Sequence, residues 1–180
     1  MSRIYFIRHG ETDANYQGLM CGGKWDLQLN ETGRAQAREA AQKIFSLVPD
    51  LKSVCSSPLL RARETAMIIA RNFDLEPVII DELAEWDIGS WDRVSFESVK
   101  EAFLGDSEPE GGETRAQLKL RIRAAYDRCQ QIEAPLLIVS HGAVWLALQS
   151  LLEMPPLKVA NAVPYEIFPD TEGRWQARAL

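Results

Sequence analysis

Residues 3–10 read RIYFIRHG, an apolar run that ends in Arg8, His9 and Gly10. Short runs rich in branched and aromatic residues are typical of buried β-strands. The same order recurs at residues 135–142, PLLIVSHG, where the second of the chain's 2 histidines again precedes a glycine. We therefore predict two buried strands that each end in a His-Gly pair.

Patterns of helical period alternate with these short apolar runs along the chain. Helices are predicted within residues 29–48, 58–73, 94–104, 114–132 and 142–152, and further strands at 51–57, 77–81, 165–169 and 175–180. Asn30 is the expected N-cap of the first helix, and Ser57 with Pro58 is the expected start of the second. The alternation predicts an α/β fold, a three-layer sandwich whose mainly parallel sheet becomes mixed through the last two strands.

The bulk properties limit the classes of function. A length of 180 residues suits one domain spanning residues 1–180. The net charge of −6 disfavours nucleic-acid partners, which require a surplus of Lys and Arg. The 3 cysteines form no C-x-x-C pair, and neither a signal peptide nor a stretch long enough to span a membrane is visible. We expect a cytoplasmic protein with reduced thiols and no membrane association.

The two histidines lie where an open α/β sheet binds its ligands, beyond the carboxyl ends of its strands. Gly10 and Gly142 let backbone N–H groups approach an anion there. Arg8 and Arg61 add guanidinium groups, which bind phosphate oxygens in bidentate fashion. We therefore predict a phosphate pocket at this edge of the sheet. The alternative is that both histidines are purely structural. The matching strand-His-Gly context of the two histidines disfavours that alternative.

A carboxyl group for this pocket has to come from the loop after residues 77–81. Four acids compete for the role, and composition alone does not choose among Asp81, Glu82, Glu85 and Asp87. Three roles are open for the neighbouring Trp86 and Trp91: exclusion of water from the pocket, stacking against a substrate, and ordinary core or rim packing.

Five motifs, in this order, resemble those of the histidine phosphatase superfamily with its phosphoglycerate mutase-like fold. They are RHGETDAN at 8–15, SSPLLRARETA at 56–66, LAEWDIGSW at 83–91, GGET at 111–114 and VSHG at 139–142. The resemblance implies that His9 is a nucleophile that becomes phosphorylated and that Glu85 is the proton donor. It also implies a phosphate pocket completed by Arg8, Arg61 and His141, bordered by Thr12 and Asn15, with substrate contacts at Cys21 and Gly22. Gly142 is a further expected substrate contact, from its place after His141. Neither a metal nor another cofactor is implied.

Among members of this family, the chain is similar to small bacterial phosphatases such as α-ribazole phosphatase. The expected activity is therefore metal-independent hydrolysis of a small phosphorylated metabolite. Three alternatives stay open: phosphoglycerate mutase-type phosphoryl transfer, a noncatalytic module that binds a phospholigand, and a metallohydrolase. Two features disfavour a mutase: Glu85 is followed by Trp86, and the stretch from there to Gly111 is short and acidic. The lack of an H-E-x-x-H spacing speaks against a metallohydrolase.

Overall fold

A mixed β-sheet forms the centre of the protein, as seen in a computed structural model that describes residues 3–180. The sheet has six strands in the order β3-β2-β4-β1-β5-β6. Their bounds are β1 Ile4–Arg8, β2 Ser53–Ser56, β3 Val78–Ile79, β4 Leu136–Ser140, β5 Pro164–Pro169 and β6 Trp175–Ala179. The strands β1 to β4 run parallel, whereas β5 and β6 are antiparallel additions at one edge. The predicted mixed sheet is confirmed.

Helices cover both faces of this sheet and make the three predicted layers. They are α1 Asp13–Tyr16, α2 Glu31–Leu47, α3 Leu60–Ala70, α4 Phe96–Leu104, α5 Arg115–Cys129 and α6 Gly142–Leu151. Short 3-10 helices lie at Arg71–Phe73, Asp81–Leu83 and Gly89–Trp91. Apolar side chains of α2 and α3 share one core cluster, and those of α5 and α6 belong to a second. In the described part of the chain, no helix has both the length and the apolar character that a membrane crossing requires.

Strand β1 is apolar up to its last residue, Arg8, because it is buried on both faces. Ile4 and Phe6 point into the cluster formed with α5 and α6, while Tyr5 and Ile7 point into the cluster formed with α2 and α3. Successive strand residues alternate between faces, so a central strand needs an unbroken apolar run. This explains why its polar residues begin only where the strand ends.

The register of the two central strands brings the two His-Gly pairs together. Strand β1 pairs with β4 so that Arg8 lies opposite Ser140, and His9 N donates to Ser140 O at 2.9 Å. Because the strands are parallel neighbours, His9 and His141 leave the sheet side by side at its carboxyl edge.

One predicted helix start is wrong. Asn30 caps α2 as expected, accepting from Gly33 N at 2.8 Å, but α3 begins at Leu60 rather than at Pro58. The Ser57 hydroxyl instead accepts from Leu59 N at 3.2 Å and pairs with a histidine of the site described below. The third strand is also shorter than residues 77–81, because only Val78–Ile79 pair with β2.

The loop that follows β1 rests directly on the first turn of α2. A Cβ added at Gly10 would collide with Gly33 O, and one added at Gly33 would collide with Glu11 O. The two segments approach this closely only because both contact points are glycines. Gly33 therefore sets the distance between helix α2 and the loop at residues 9–11, called the His9 loop below.

The substitution Gly33→Ala tests this contact. Alanine favours an ordinary helix position over glycine by about 1 kcal/mol, but overpacking costs about 1–3 kcal/mol, so we expect a net loss of stability. Urea unfolding measures the change in the free energy of unfolding. The matched control is Gly142→Ala in the first turn of α6, where an added Cβ meets only Arg8 atoms at 3.8 Å. An unchanged or higher midpoint for Gly33→Ala would contradict the contact.

Candidate active site

Two imidazole rings form the centre of the site. The ring centroids of His9 and His141 lie 5.1 Å apart, and the two residues are only 3% and 0% exposed. Arg8 ends β1, Arg61 lies in the first turn of α3, and Gly142 begins α6. The predicted pocket residues thus meet at one edge of the sheet.

A hydrogen bond with the neighbouring carbonyl fixes the orientation of His9. Its Nδ1 lies 2.7 Å from Gly10 O. A carbonyl oxygen only accepts, so Nδ1 carries the proton and Nε2 keeps its lone pair. Burial, reinforced by the Arg61 and Arg8 guanidinium groups, holds the pKa of His9 well below its usual range. His9 is therefore a neutral imidazole whose Nε2 carries an available lone pair.

His141 is held by a different partner. Its Nε2 lies 2.7 Å from Ser57 Oγ, at the end of β2. Burial first, and then Arg61 and His9, lower the pKa of His141 well below its usual range. Its Nδ1 is buried and has no partner. When the Ser57 hydroxyl donates to Nε2, Nδ1 carries the proton and is a donor for an anionic oxygen.

The two arginines leave donors that an anion would satisfy. Among residues 3–180, four buried side-chain polar atoms lack a hydrogen-bond partner, and Arg8 Nε, Arg61 Nε and His141 Nδ1 are three of them. Buried donors without partners are costly, and the cost is recovered when a ligand accepts from them. Burial lowers the pKa of Arg8, which still remains protonated because the guanidinium pKa is so high. Two unpaired guanidinium donors, joined by His141 Nδ1 when Ser57 donates to Nε2, suit a phosphate-sized anion.

Arg61 is fixed by the loop that contains the predicted substrate contacts. Its Nη1 donates to Trp25 O at 3.1 Å and its Nη2 to Gly22 O at 3.2 Å. Cys21 lies in the same loop, and its Sγ donates to Trp25 O at 3.3 Å. Burial raises the pKa of Cys21 to about 11, so the residue is a thiol rather than a thiolate. The loop therefore supplies carbonyl oxygens to Arg61 and a neutral side chain close to it.

The Glu85 carboxylate lies against the first turn of α6, beside the pocket. Its Oε1 accepts from Trp86 N at 2.9 Å, and its Oε2 lies 3.4 Å from Ala143 N, in the first turn of the helix. Of the four competing acids, the structure thus brings Glu85 to the His141-Gly142 segment.

Thr12 and Asn15 support the His9 loop through helix α1. Thr12 caps α1, and the two side chains form reciprocal hydrogen bonds with each other's backbone N–H groups. Asn15 Oδ1 also accepts from Asn161 Nδ2 at 3.3 Å, and the same Nδ2 donates to His9 O at 2.9 Å. Asn15 is therefore connected to His9, while Thr12 is fully buried with its hydroxyl engaged in the cap.

Sequence reasoning missed three supporting residues. Ser57 resembles a helix cap in the sequence, and Asn161 lies 152 residues from the His9 carbonyl that it binds. Thr65 Oγ1 accepts from Gly10 N at 3.1 Å and donates to Arg61 O at 2.8 Å, so it connects the His9 loop with α3. Thr65 lies four residues after Arg61 on the same helix face, so this spacing in the sequence indicates that Thr65 lies near the site.

The tryptophans near Glu85 pack in the core. Trp86 is 1% exposed and Trp91 is 8% exposed, with their ring centroids 5.7 Å apart at a nearly perpendicular angle. The Trp86 indole N–H donates to Glu113 O at 2.7 Å. Both rings are therefore packed in the core next to Glu85.

Comparisons with known proteins agree with this geometry. The family model of the histidine phosphatase superfamily (branch 1) matches residues 4–166. The chain is 35% identical over 150 residues to an uncharacterized phosphatase, PhoE, of Bacillus subtilis, covering 82% of this chain and 76% of that protein. It is 33% identical over 170 residues to a probable phosphoglycerate mutase, GpmB, of Photorhabdus laumondii, covering 86% of this chain and 77% of that one.

A solved structure extends the similarity to almost the whole chain. The mycobacterial glucosyl-3-phosphoglycerate phosphatase in complex with VO3 superposes with a TM-score of 0.82 at 25% identity, covering 99% of this chain and 97% of that one. Sheet order, pocket geometry and these matches lead to the same conclusion: the chain is a phosphatase that belongs to the histidine phosphatase superfamily (branch 1).

Proposed function

We propose that this phosphatase hydrolyses small phosphate monoesters through a phosphohistidine on His9, with Glu85 as the proton donor and without a metal ion. One observation carries the proposal: a neutral His9, protonated at Nδ1 by its bond to Gly10 O, lies among buried cationic donors that lack partners. That combination supplies a nucleophile and a binding site for the phosphate group that it attacks.

In the first step, the lone pair on His9 Nε2 forms a bond to phosphorus while the bond from phosphorus to the ester oxygen breaks. Negative charge spreads over the equatorial oxygens, where Arg8, Arg61 and His141 donate hydrogen bonds. Glu85, protonated at this stage, transfers its proton to the departing alkoxide. The products are the alcohol and a phosphohistidine.

In the second step, water hydrolyses the phosphohistidine. Glu85, now a carboxylate, accepts a proton from the attacking water as the new bond to phosphorus forms and the bond to Nε2 breaks. Inorganic phosphate leaves, and both His9 and Glu85 return to their starting protonation states. The bond from Nδ1 to Gly10 O holds the ring in one orientation through both steps.

A small phosphorylated metabolite is the proposed substrate class. The similarity to a phosphatase whose name specifies glucosyl-3-phosphoglycerate supports a small organic phosphate. The similarity to a probable phosphoglycerate mutase makes phosphoryl transfer the second candidate. The two candidates differ in the fate of the phosphoryl group on the enzyme. A hydrolase transfers it to water, whereas a mutase transfers it to a phosphoglycerate acceptor.

Rapid-quench trapping tests the nucleophile. With ³²P-labelled substrate, we expect an acid-labile phosphoenzyme in the unsubstituted protein, no label in His9→Ala, and no effect of EDTA on either result. His141→Gln is the matched control, since it removes the other histidine and leaves His9 in place. Label that persists in His9→Ala would refute the assigned nucleophile, and loss of label in EDTA would favour the metallohydrolase. Transfer of the label to added 3-phosphoglycerate faster than to water would favour the mutase.

The substitution Glu85→Gln tests the proton donor. Phenyl phosphate releases a strongly basic phenolate, whereas 2,4-dinitrophenyl phosphate releases one that needs no proton. We expect kcat/KM to fall about 10²–10⁴-fold for the first ester and less than about tenfold for the second. Asp87→Asn is the control, because Asp87 lies in the same loop and pairs with Lys24 at 2.7 Å. Equal losses for both esters in Glu85→Gln would remove the general-acid role.

A further inference from the structure

The loop that contains Glu85 is held from behind by an arginine of helix α5. Arg121 Nη1 donates to Glu82 O at 2.8 Å and to Ala84 O at 2.7 Å, and its Nη2 lies 3.5 Å from Glu85 O. One guanidinium group therefore reaches three backbone carbonyls within four consecutive residues. The planar fork of arginine suits such a cluster of acceptors, whereas the ammonium group of lysine does not.

Glu113 holds this arginine in place. Its two carboxylate oxygens accept from Arg121 Nε at 2.8 Å and from Nη2 at 2.7 Å. Such a bidentate pair fixes the plane of the guanidinium group as well as its position. The two side chains are 22% and 15% exposed, so solvent competes little with the pair.

The backbone of Glu113 also holds the other side of the same loop. Glu113 O accepts from the Trp86 indole N–H at 2.7 Å, and Glu113 N donates to Asp87 O at 2.8 Å. At Gly112 an added Cβ would collide with Asp87 O, so this close approach requires glycine. The GGET motif at 111–114 thus packs against residues that directly follow Glu85.

A second arginine of α5, Arg128, forms an ordinary exposed ion pair. Arg128 pairs with the Glu82 carboxylate at 2.7 Å, but its side chain is 54% exposed and contacts no carbonyl of the Glu85 loop. Exposed pairs of this kind contribute little. Arg121 differs because its contacts go to the backbone that fixes the position of Glu85.

We propose that Arg121 and Glu113 are positioning residues for the general acid. Together they hold the backbone on both sides of Glu85, so that its carboxyl group stays at the start of α6, within reach of the leaving oxygen. The inference rests on the proposed role of Glu85 as proton donor. Neither side chain hydrogen-bonds to a residue of the phosphate pocket, so we expect their loss to act mainly through Glu85.

The test compares the two aryl phosphates in Arg121→Lys and Glu113→Gln. Lysine keeps the charge but not the fork, and glutamine keeps the shape but not the charge. We expect kcat/KM for phenyl phosphate to fall about tenfold or more, because small misplacements of a catalytic group are costly, and kcat/KM for 2,4-dinitrophenyl phosphate to change less than about threefold. Arg128→Lys is the matched control and leaves both values unchanged. Two variants keep the test decisive if one of them does not fold, which thermal unfolding reports.

A double variant separates positioning from a general structural role. If Arg121 acts through Glu85, adding Arg121→Lys to Glu85→Gln lowers phenyl phosphate hydrolysis by less than about threefold further. Additive losses, or equal losses for both esters in the single variants, would overturn the inference. The Glu85→Gln result distinguishes the two failures. If Glu85→Gln itself shows no preference between the esters, the proposed role of Glu85 fails. If it does and the other variants do not, only the positioning role fails.

Discussion

The hydrogen bond between His9 Nδ1 and Gly10 O, made in a buried and positively charged setting, is the constraint on which the site depends. A carbonyl partner decides which nitrogen carries the proton, and burial beside Arg8 and Arg61 keeps the ring neutral. The same two guanidinium groups that disfavour an imidazolium favour a phosphate dianion. In the proposed mechanism, a single electrostatic arrangement therefore keeps His9 neutral and attracts the phosphate group that it attacks.

The rest of the fold keeps this loop where the chemistry requires it. Strand β1 lies between β4 and β5, so His9 follows an inner strand and lies beside His141 at the carboxyl edge of the sheet. Gly33 allows the loop to rest on α2, while Thr65 and Asn161, from two distant parts of the chain, bind its backbone. Glu85 lies on a separate loop, which Arg121 of α5 contacts. The phosphate pocket and the proposed proton donor therefore have different structural supports, so we expect that a substitution can affect one without the other.

Sequence reasoning identified the parts of the site that are local in the chain. The strand-His-Gly pattern was readable because a doubly buried strand must be apolar until it ends, so the polar residues at its end stand out. Contacts between distant segments left no such signal: Ser57 looked like a helix cap, and Arg121 looked like any other arginine of an amphipathic helix. Among the competing acids, only the resemblance selected Glu85, because its placement depends on how a loop folds against α6. The predictions confirmed by the structure are those that follow from periodicity, and the omissions are tertiary contacts.

The protonation state of His9 tests the account most directly, and a chain with 2 histidines makes it measurable. Long-range ¹H–¹⁵N spectra in phosphate-free buffer report the charge and tautomer of each ring, and His141→Gln assigns the signals. Because both pKa values are lowered, both rings are expected to stay neutral as the pH falls through about 6.5, where an ordinary histidine is half protonated. His9 should show its proton on Nδ1 throughout. A His9 ring that titrates near pH 6.5, or that carries its proton on Nε2, would contradict the account.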